Sequence, residues 1–150
     1  MPLDFDCKLE VSIDAPPEAV QRAVLEDFDL WMHSPQNGKR MGLRIEAFVG
    51  GRVFRDLGDG HGHLWAHISV LKPGLIEMVG PFAATEPCYS LIRFRFTDSG
   101  ANQTRLTFSH QASGAIPEGM LEGAPLGWQM AIEKGLKPHV ERNHHHRHDA

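Results

Sequence analysis

The sequence predicts an α+β fold in which a curved antiparallel sheet of six or seven strands wraps around one long C-terminal helix. Residues 3–14 alternate apolar and polar side chains, which is typical of a strand with one buried face. Residues 50–82 hold three more strand-like runs, separated by Gly-Asp-Gly and Lys-Pro-Gly turns. From Pro117 onward the pattern is helical, and this helix is the element left to cover the apolar face of the sheet.

A short helical pair is predicted directly after the first strand. Residues 14–18, Asp-Ala-Pro-Pro-Glu, place an acid and two prolines where a helix would begin, and apolar residues follow at helical spacing as far as Met32. Residues 35–39, Pro-Gln-Asn-Gly-Lys, predict a loop. The alternation over residues 41–47 then predicts the second strand.

Alternating segments in the second part of the chain supply the rest of the sheet. These strands are predicted over residues 52–57, 63–71, 75–79, 86–97 and 104–111. A short helical segment over residues 118–122 should precede a helix that starts at Pro125 and ends near Glu141. Pro138 lies inside that helix and is able to kink it, because proline removes a backbone donor.

Composition limits the class of protein. With 150 residues, of which 41% are apolar and 23% charged, the chain is long enough for one globular domain. We place this domain at residues 1–142, before a flexible His-rich tail at 143–150. The net charge of −4 argues against nucleic acid as a partner, and the isolated Cys7 and Cys88 are expected to be reduced thiols. Without an apolar leader or spanning run, we expect a cytoplasmic protein with no membrane insertion.

Five segments carry a family resemblance: residues 13–20 (IDAPPEAV), 50–54 (GGRVF), 60–65 (GHGHLW), 104–108 (TRLTF) and 127–137. Through them the chain resembles the START-like, or SRPBCC, superfamily, whose helix-grip fold is also seen in relatives of birch-pollen allergens. Within it the chain is similar to the group named after the activator of the ninety-kilodalton heat-shock protein's ATPase. The resemblance implies a helix-grip fold, in a superfamily whose activities include lipid transfer, hormone sensing, polyketide cyclisation and chaperone stimulation.

A cleft is predicted where the curved sheet bends away from the C-terminal helix. Mainly apolar clefts with a few polar groups are the usual sites for small molecules. The predicted apolar lining is aromatic and consists of Trp31 near the mouth, Phe82, Phe94, Phe108 and Trp128. The alternative is that these rings only fill the core.

Two polar side chains are candidates for orienting a ligand in this cleft. His110 alternates in step with two apolar neighbours and should face inward, as a hydrogen-bonded core residue, a ligand anchor or an acid–base group. The sequence places no cysteine, serine or carboxylate beside it. Arg55 faces inward if Val53 and Leu57 do, and otherwise it is a strand-end charge that reaches water.

The histidines of the chain could suggest a metal site, but another interpretation is favoured. The strand over residues 63–71 should turn its alternating apolar residues inward: Leu64, Ala66, Ile68 and Val70. His61, His63 and His67 would then lie on the outer face with Trp65 between them. The segment His144–His148 is interpreted as part of an unstructured tail with adventitious metal affinity. No metal, nucleotide or other cofactor is therefore predicted.

Small residues recur every four positions in the C-terminal region: Gly119, Gly123, Gly127, Ala131 and Gly135. Glycine costs a helix about 1 kcal/mol per position relative to alanine. We therefore expect close approach of the sheet or of a second subunit to compensate at these positions.

Three functions follow from these observations, in this order. The first is binding of an apolar or amphipathic small molecule, with Arg55 and His110 orienting its polar end. The second, which the family resemblance implies, is stimulation of a chaperone ATPase through a protein interaction. The third is an enzyme of the cyclase or hydratase type that uses His110 as its base. A homodimer through exposed sheet edges is compatible with each.

Overall fold

The computed structural model describes residues 3–32 and 39–148, with side chains as far as His144. Its strands are β1 (Phe5–Ile13), β2 (Leu43–Ile45), β3 (Arg52–Gly58), β4 (His61–Lys72), β5 (Leu75–Gly80), β6 (Cys88–Gly100) and β7 (Gln103–Gly114). Its helices are α1 (Pro17–Glu26), α2 (Phe28–Trp31), α3 (Glu118–Met130) and α4 (Lys137–His148), with a π-helical segment, Ala131–Leu136, joining α3 to α4. The loop predicted at residues 35–39 lies, apart from Lys39, outside the described residues.

The seven strands form one antiparallel sheet in the order β1-β7-β6-β5-β4-β3-β2. From β2 to β7 each strand pairs with the next along the chain. β1 instead pairs with the last strand, from Phe5 opposite Ala112 to Ile13 opposite Thr104. The predicted α+β class, with short helices after β1 and a long helix at the C-terminal end of the chain, is therefore confirmed.

The C-terminal helix packs against the inner face of the sheet. Phe94 and Phe108 lie opposite each other on β6 and β7, with ring centroids 5.1 Å apart. Trp128 of α3 covers Phe108 at a centroid distance of 4.5 Å, and Ile132 and Leu136 are fully buried in the same core. Full burial of a large apolar side chain stabilises the fold by roughly 1.5–3 kcal/mol, so this contact is a major part of the core.

A β-bulge in β4 reverses the predicted orientation of two of its side chains. Val53 pairs with Ala66 and Phe54 with Leu64, which leaves Trp65 as an extra residue between the two pairs. Trp65 is therefore buried, with 6% of its surface exposed, whereas Leu64 is 40% exposed. The predicted orientations of these two residues are both wrong.

A second bulge follows four residues later in the same strand. Ser69 is an extra residue between the pairs that Ile68 and Val70 make with β5. As a result Leu71, rather than the predicted Val70, packs against the core. Ile68 and Ala66 face inward as predicted.

The C-terminal helix begins earlier and ends later than predicted. α3 starts at Glu118 and contains Pro125, which was expected to be the first residue of a separate helix. Pro125 is exposed, so the carbonyl that loses its partner there is close to water. α4 continues to His148, past the predicted end near Glu141, while the division between domain and tail at residue 143 stays a prediction. Within the described residues, no helix combines the length and apolar character needed to cross a membrane.

Replacement of Gly135 is predicted to destabilise the fold where the C-terminal helix packs against α2. A β-carbon at Gly135 would overlap the backbone carbonyl of Trp31, whereas a β-carbon at Gly127 would meet nothing within 4 Å. We expect Gly135→Ala to lower the free energy of unfolding by about 2 kcal/mol, because the backbone must move. Gly127→Ala is the matched control and should raise it by about 0.5–1 kcal/mol through helix propensity. Urea unfolding followed by circular dichroism measures both, and equal effects would contradict the close contact.

Candidate functional site

A cleft of about 520 Å³ lies beside α3, within the size range of small-molecule sites. Its wall is formed by Trp65 of β4, residues 82–84 after β5, His110 of β7 and the length of α3. Met32 and Met41, which flank the undescribed residues 33–38, complete it. Among the described residues that line it, none is an aspartate, glutamate, lysine or arginine. The wall is therefore apolar, with a few neutral polar groups.

His110 is buried in the wall of the cleft, with 1% of its surface exposed. The indole Nε1–H of Trp128 donates to its Nδ1 at 3.0 Å. Because Nδ1 accepts, Nε2 carries the proton and donates to the hydroxyl oxygen of Ser90 at 2.8 Å. The three side chains form a continuous hydrogen-bonded chain from α3 across β7 to β6, which occupies both ring nitrogens.

Burial lowers the pKa of His110 to about 4, well below its ordinary value. At neutral pH the ring is therefore uncharged, as its acceptor role toward Trp128 requires. A general base works best with a pKa near the working pH and needs a free nitrogen. His110 thus has the features of a hydrogen-bonded core histidine, and this geometry does not favour the base that the enzyme hypothesis needs.

Ser90 is a polar neighbour of His110 that the sequence pattern does not reveal. Ser90 pairs with Ala112 and Ile92 pairs with His110, so the serine and the histidine are diagonal neighbours on one face of the sheet. Alternation alone places Ser90 on the inner face. Its position beside His110 depends on the register between β6 and β7, which alternation does not determine.

Trp65 differs from the other two tryptophans in its hydrogen bonding. Its Nε1–H is buried and has no acceptor among the described residues. The Nε1–H of Trp31 donates to the carbonyl of Ala23 at 3.2 Å, and that of Trp128 donates to His110. Leaving a buried donor unpaired costs about 1–3 kcal/mol. Stability alone therefore does not account for an indole at this point of the cleft wall.

The small residues of α3 and the residue after it line the cleft: Gly119, Gly123, Gly127 and Ala131. A β-carbon at any of these three glycines would meet nothing within 4 Å. The predicted close approach of the sheet is therefore wrong for these three glycines, while approach of a second subunit stays a prediction. Gly135 does have a close contact, but with the backbone of Trp31 in α2. What the three glycines provide is space along the cleft, at a cost to the helix of about 1 kcal/mol each.

Phe82 is held in the cleft wall by a strained turn. Phe82 and Ala83 both adopt left-handed backbone conformations, with φ of 47° and 70°. This conformation costs a non-glycine residue about 1–2 kcal/mol. The backbone N–H of Phe82 donates to the carbonyl of Trp65 at 2.8 Å, and the two rings lie 5.1 Å apart. Strain of this kind persists where the surrounding structure fixes it, and it is often found at ligand sites.

Three of the residues predicted to line the cleft are part of its wall: Phe82, His110 and Trp128. Three others are buried in the core and are not part of that wall: Trp31, Phe94 and Phe108. Trp31 is 1% exposed and packs on Phe28 at 5.3 Å, so it does not lie at a mouth. Gly135 of the π-helical segment packs directly against the backbone of Trp31, and neither residue is part of the cleft wall.

Arg55 does not line the cleft either. It is exposed, and its Nε donates to the carbonyl of Met41 at 2.9 Å. Leu57 is 63% exposed, so the condition under which Arg55 would face inward is not met at this end of β3. A guanidinium reaches a carbonyl and water there at a lower cost than it would enter an apolar cleft. The strand-end alternative describes Arg55.

The histidines of β4 stay apart from the cleft. His61 and His67 are exposed and His63 is half-buried. Within residues 3–32 and 39–144, no three histidine, cysteine, aspartate or glutamate side chains are arranged to hold a metal ion. Cys7 and Cys88 are free, and burial raises the pKa of each thiol, which keeps both in the less reactive protonated form.

Comparison with known proteins identifies the fold. No family model and no curated protein matches the chain. Protein CV1439 from Chromobacterium violaceum is 23% identical, with a TM-score of 0.67 over 91% of this chain and 96% of that one. CalU16 from Micromonospora echinospora is 19% identical, with a TM-score of 0.64 over 90% and 73% of the two chains. An HSP90 activator from Plasmodium falciparum is 17% identical, with a TM-score of 0.63 over 91% and 94%. At these identities the likeness establishes a shared helix-grip-like fold.

The low pKa of His110 predicts a specific pH dependence of stability. The unfolded chain binds a proton near the ordinary pKa of about 6.5, whereas the folded chain binds it only near 4. Stability is therefore fully present above about pH 6.5, falls as the pH drops toward 4 and levels off below. We expect a loss of about 2 kcal/mol between pH 7.5 and pH 5, measured by urea unfolding at each pH.

Two variants separate the contribution of His110 from those of other groups. His110→Gln cannot take up a proton and should remove most of that pH-dependent loss, although its stability at pH 7.5 will be lower. His67→Gln, at an exposed position, should keep the wild-type slope. A His110→Gln protein that loses as much stability as the wild type between these pH values would show that His110 is not the responsible group.

Proposed function

We propose that the chain binds an apolar or amphipathic small molecule in the cleft beside α3. The observation that carries this proposal is a cleft of about 520 Å³ whose lining is apolar and, over the residues described, contains no aspartate, glutamate, lysine or arginine. Buried apolar surface contributes about 25 cal/mol per Å², so such walls would supply most of the affinity. Phe82, His110 and Trp128 remain the proposed ligand contacts from the sequence, and Trp65 joins them.

The glycines of α3 support the proposal independently of the cleft's size. At Gly119, Gly123 and Gly127 an alanine would fit without contact and would favour the helix. The chain instead retains glycine at all three positions, next to the same cleft. A need for volume beside the helix explains this choice, whereas packing does not.

We also propose that the chain is a START-like protein of the activator-related group that its sequence resembles, located in the cytoplasm. Two of the segments that carry the resemblance, residues 60–65 and 127–137, contribute side chains to the cleft wall: Trp65, Trp128 and Ala131. The likeness in fold to CalU16 and to an HSP90 activator is compatible with this assignment.

Filling the cleft should weaken binding without unfolding the protein. We expect the neutral dye N-phenyl-1-naphthylamine to bind the wild type with increased fluorescence. Gly127→Leu should weaken this binding at least about tenfold, because its side chain occupies space that now has no atoms within 4 Å of the β-carbon. Gln129→Leu adds a leucine at an exposed position of the same helix and serves as the control. Equal dye affinity in the two variants would place the site elsewhere.

The natural ligand is sought by native mass spectrometry of the protein purified from its own host, followed by denaturing extraction. A bound species of defined mass that is lost from Gly127→Leu would support the proposal and identify the ligand class. A species retained equally by Gly127→Leu would contradict binding in this cleft.

Stimulation of a chaperone ATPase is the second candidate. An observation in its favour is the pair Leu126 and Met130 on α3, which are 62% and 52% exposed and one helical turn apart. The test adds the purified chain to the ninety-kilodalton chaperone of its host and measures ATP hydrolysis. Stimulation that a Leu126→Ser, Met130→Ser variant loses would support this function, and an unchanged rate would exclude it.

The homodimer stays a prediction, which light scattering would test.

A further inference from the structure

We propose that the cleft selects an uncharged molecule with a hydrogen-bond acceptor, such as a ketone oxygen, and that the Nε1–H of Trp65 donates to this acceptor. This inference rests on the ligand-binding function proposed above and specifies the chemistry of the ligand. It replaces the predicted orientation by Arg55 and His110 with orientation by one indole.

Trp65 supplies a donor whose partner is missing from the described residues. The ring lines the cleft and is nine-tenths buried, and its Nε1–H has no acceptor there. The backbone carbonyl of Trp65 is already used by the N–H of Phe82. A buried donor gains most from an acceptor that reaches it in a dry environment. The nitrogen itself now has almost no accessible surface, so an acceptor carried into the cleft by a ligand would meet this need once the ring turns its N–H toward the cleft.

The remaining polar side chains near this point are occupied. His110 uses Nδ1 to accept from Trp128 and Nε2–H to donate to Ser90. It therefore has no free nitrogen for a ligand in this arrangement. The unmatched group of the wall is thus a donor, which favours a ligand with an acceptor over one whose polar group is only a donor.

The absence of charged side chains from the described lining further limits the class of ligand. In the part of the chain that the structure describes, no aspartate, glutamate, lysine or arginine lines the cleft, and the exposed Arg55 is held at the carbonyl of Met41. A carboxylate or an ammonium group brought into this cleft would lose its hydration without gaining an opposite charge, which is costly. The acceptor should therefore be neutral.

The shape of the wall favours a ring system. The ring centroids of Trp65 and Phe82 are 5.1 Å apart, and those of Phe82 and Trp128 are 5.3 Å apart, so the three rings form a continuous aromatic surface. Gly123 and Gly127 leave space beside the adjoining part of α3, because a β-carbon at either would meet nothing within 4 Å. Aromatic ligands gain from offset or edge contacts with such rings beyond the area that they bury.

The experiment compares two probes that differ in one acceptor, 9-fluorenone and fluorene. Their affinities are measured by displacement of N-phenyl-1-naphthylamine, with 9-fluorenone-4-carboxylate as a charged comparison. We expect the wild type to bind 9-fluorenone about tenfold more tightly than fluorene, because one probe pairs the donor and the other leaves it unpaired. The carboxylate should bind more weakly than either.

Trp65→Phe tests whether the indole is responsible. Phenylalanine keeps an aromatic ring but removes the N–H, so the preference for 9-fluorenone should fall to about equal binding while fluorene is bound as before. In protein labelled with ¹⁵N at tryptophan, this variant also assigns the indole signal of Trp65. That signal should move downfield when 9-fluorenone binds to the wild type and not when fluorene binds.

The outcomes separate this inference from the function on which it rests. Equal affinity for the two neutral probes, an unmoved Trp65 signal or tighter binding of the carboxylate would overturn the inference and leave the apolar site intact. Failure of the dye and of both neutral probes to bind would overturn the proposed function as well. If Trp65→Phe does not fold, the affinity ratio and the indole signal of the wild type decide the question by themselves.

Discussion

The contact between Trp128 and the sheet is the interaction on which the rest of this structure depends. Its indole packs on Phe108 at 4.5 Å and on Phe82 at 5.3 Å, while its Nε1–H reaches His110. One side chain therefore joins α3 to the central strands and to the turn after β5. It closes the core with one part of its surface and forms the wall of the cleft with another, so the stability of the fold and the shape of the candidate site are coupled.

A second constraint is that polar groups in an apolar interior need partners. The hydroxyl of Thr104 donates to the carbonyl of Ala15 at 2.7 Å, and Ser90 and Trp128 satisfy His110. Against this background the unpaired indole of Trp65 is the exception within the described part of the chain. Local departures from the rules of stability are expected mainly where function decides the residue, and this one lies in the cleft wall.

The sequence predicted the α+β class and the succession of strands and helices along the chain because alternation and turn chemistry are local properties. It failed at Trp65, since an inserted residue reverses the facing of a strand and no residue type there signals the bulge. Trp31 and Phe82 are both aromatic residues in apolar stretches of the sequence. Only the packing of the folded chain shows that the first ring is in the core and the second is in the cleft wall. The small residues of α3 were evident, but whether Gly127 marks contact or space depends on what surrounds it.

The π-helical segment Ala131–Leu136 divides the C-terminal helix into two parts whose faces are set independently. A π turn accommodates an additional residue, which rotates the following part of the helix by about 100° relative to an uninterrupted α-helix. α3 can therefore turn glycines toward the cleft while Leu136 continues to seal the core. Insertion or deletion of one residue in this segment would rotate α3 by about 100° relative to α4. One such mutation would therefore turn a different set of α3 side chains toward the cleft.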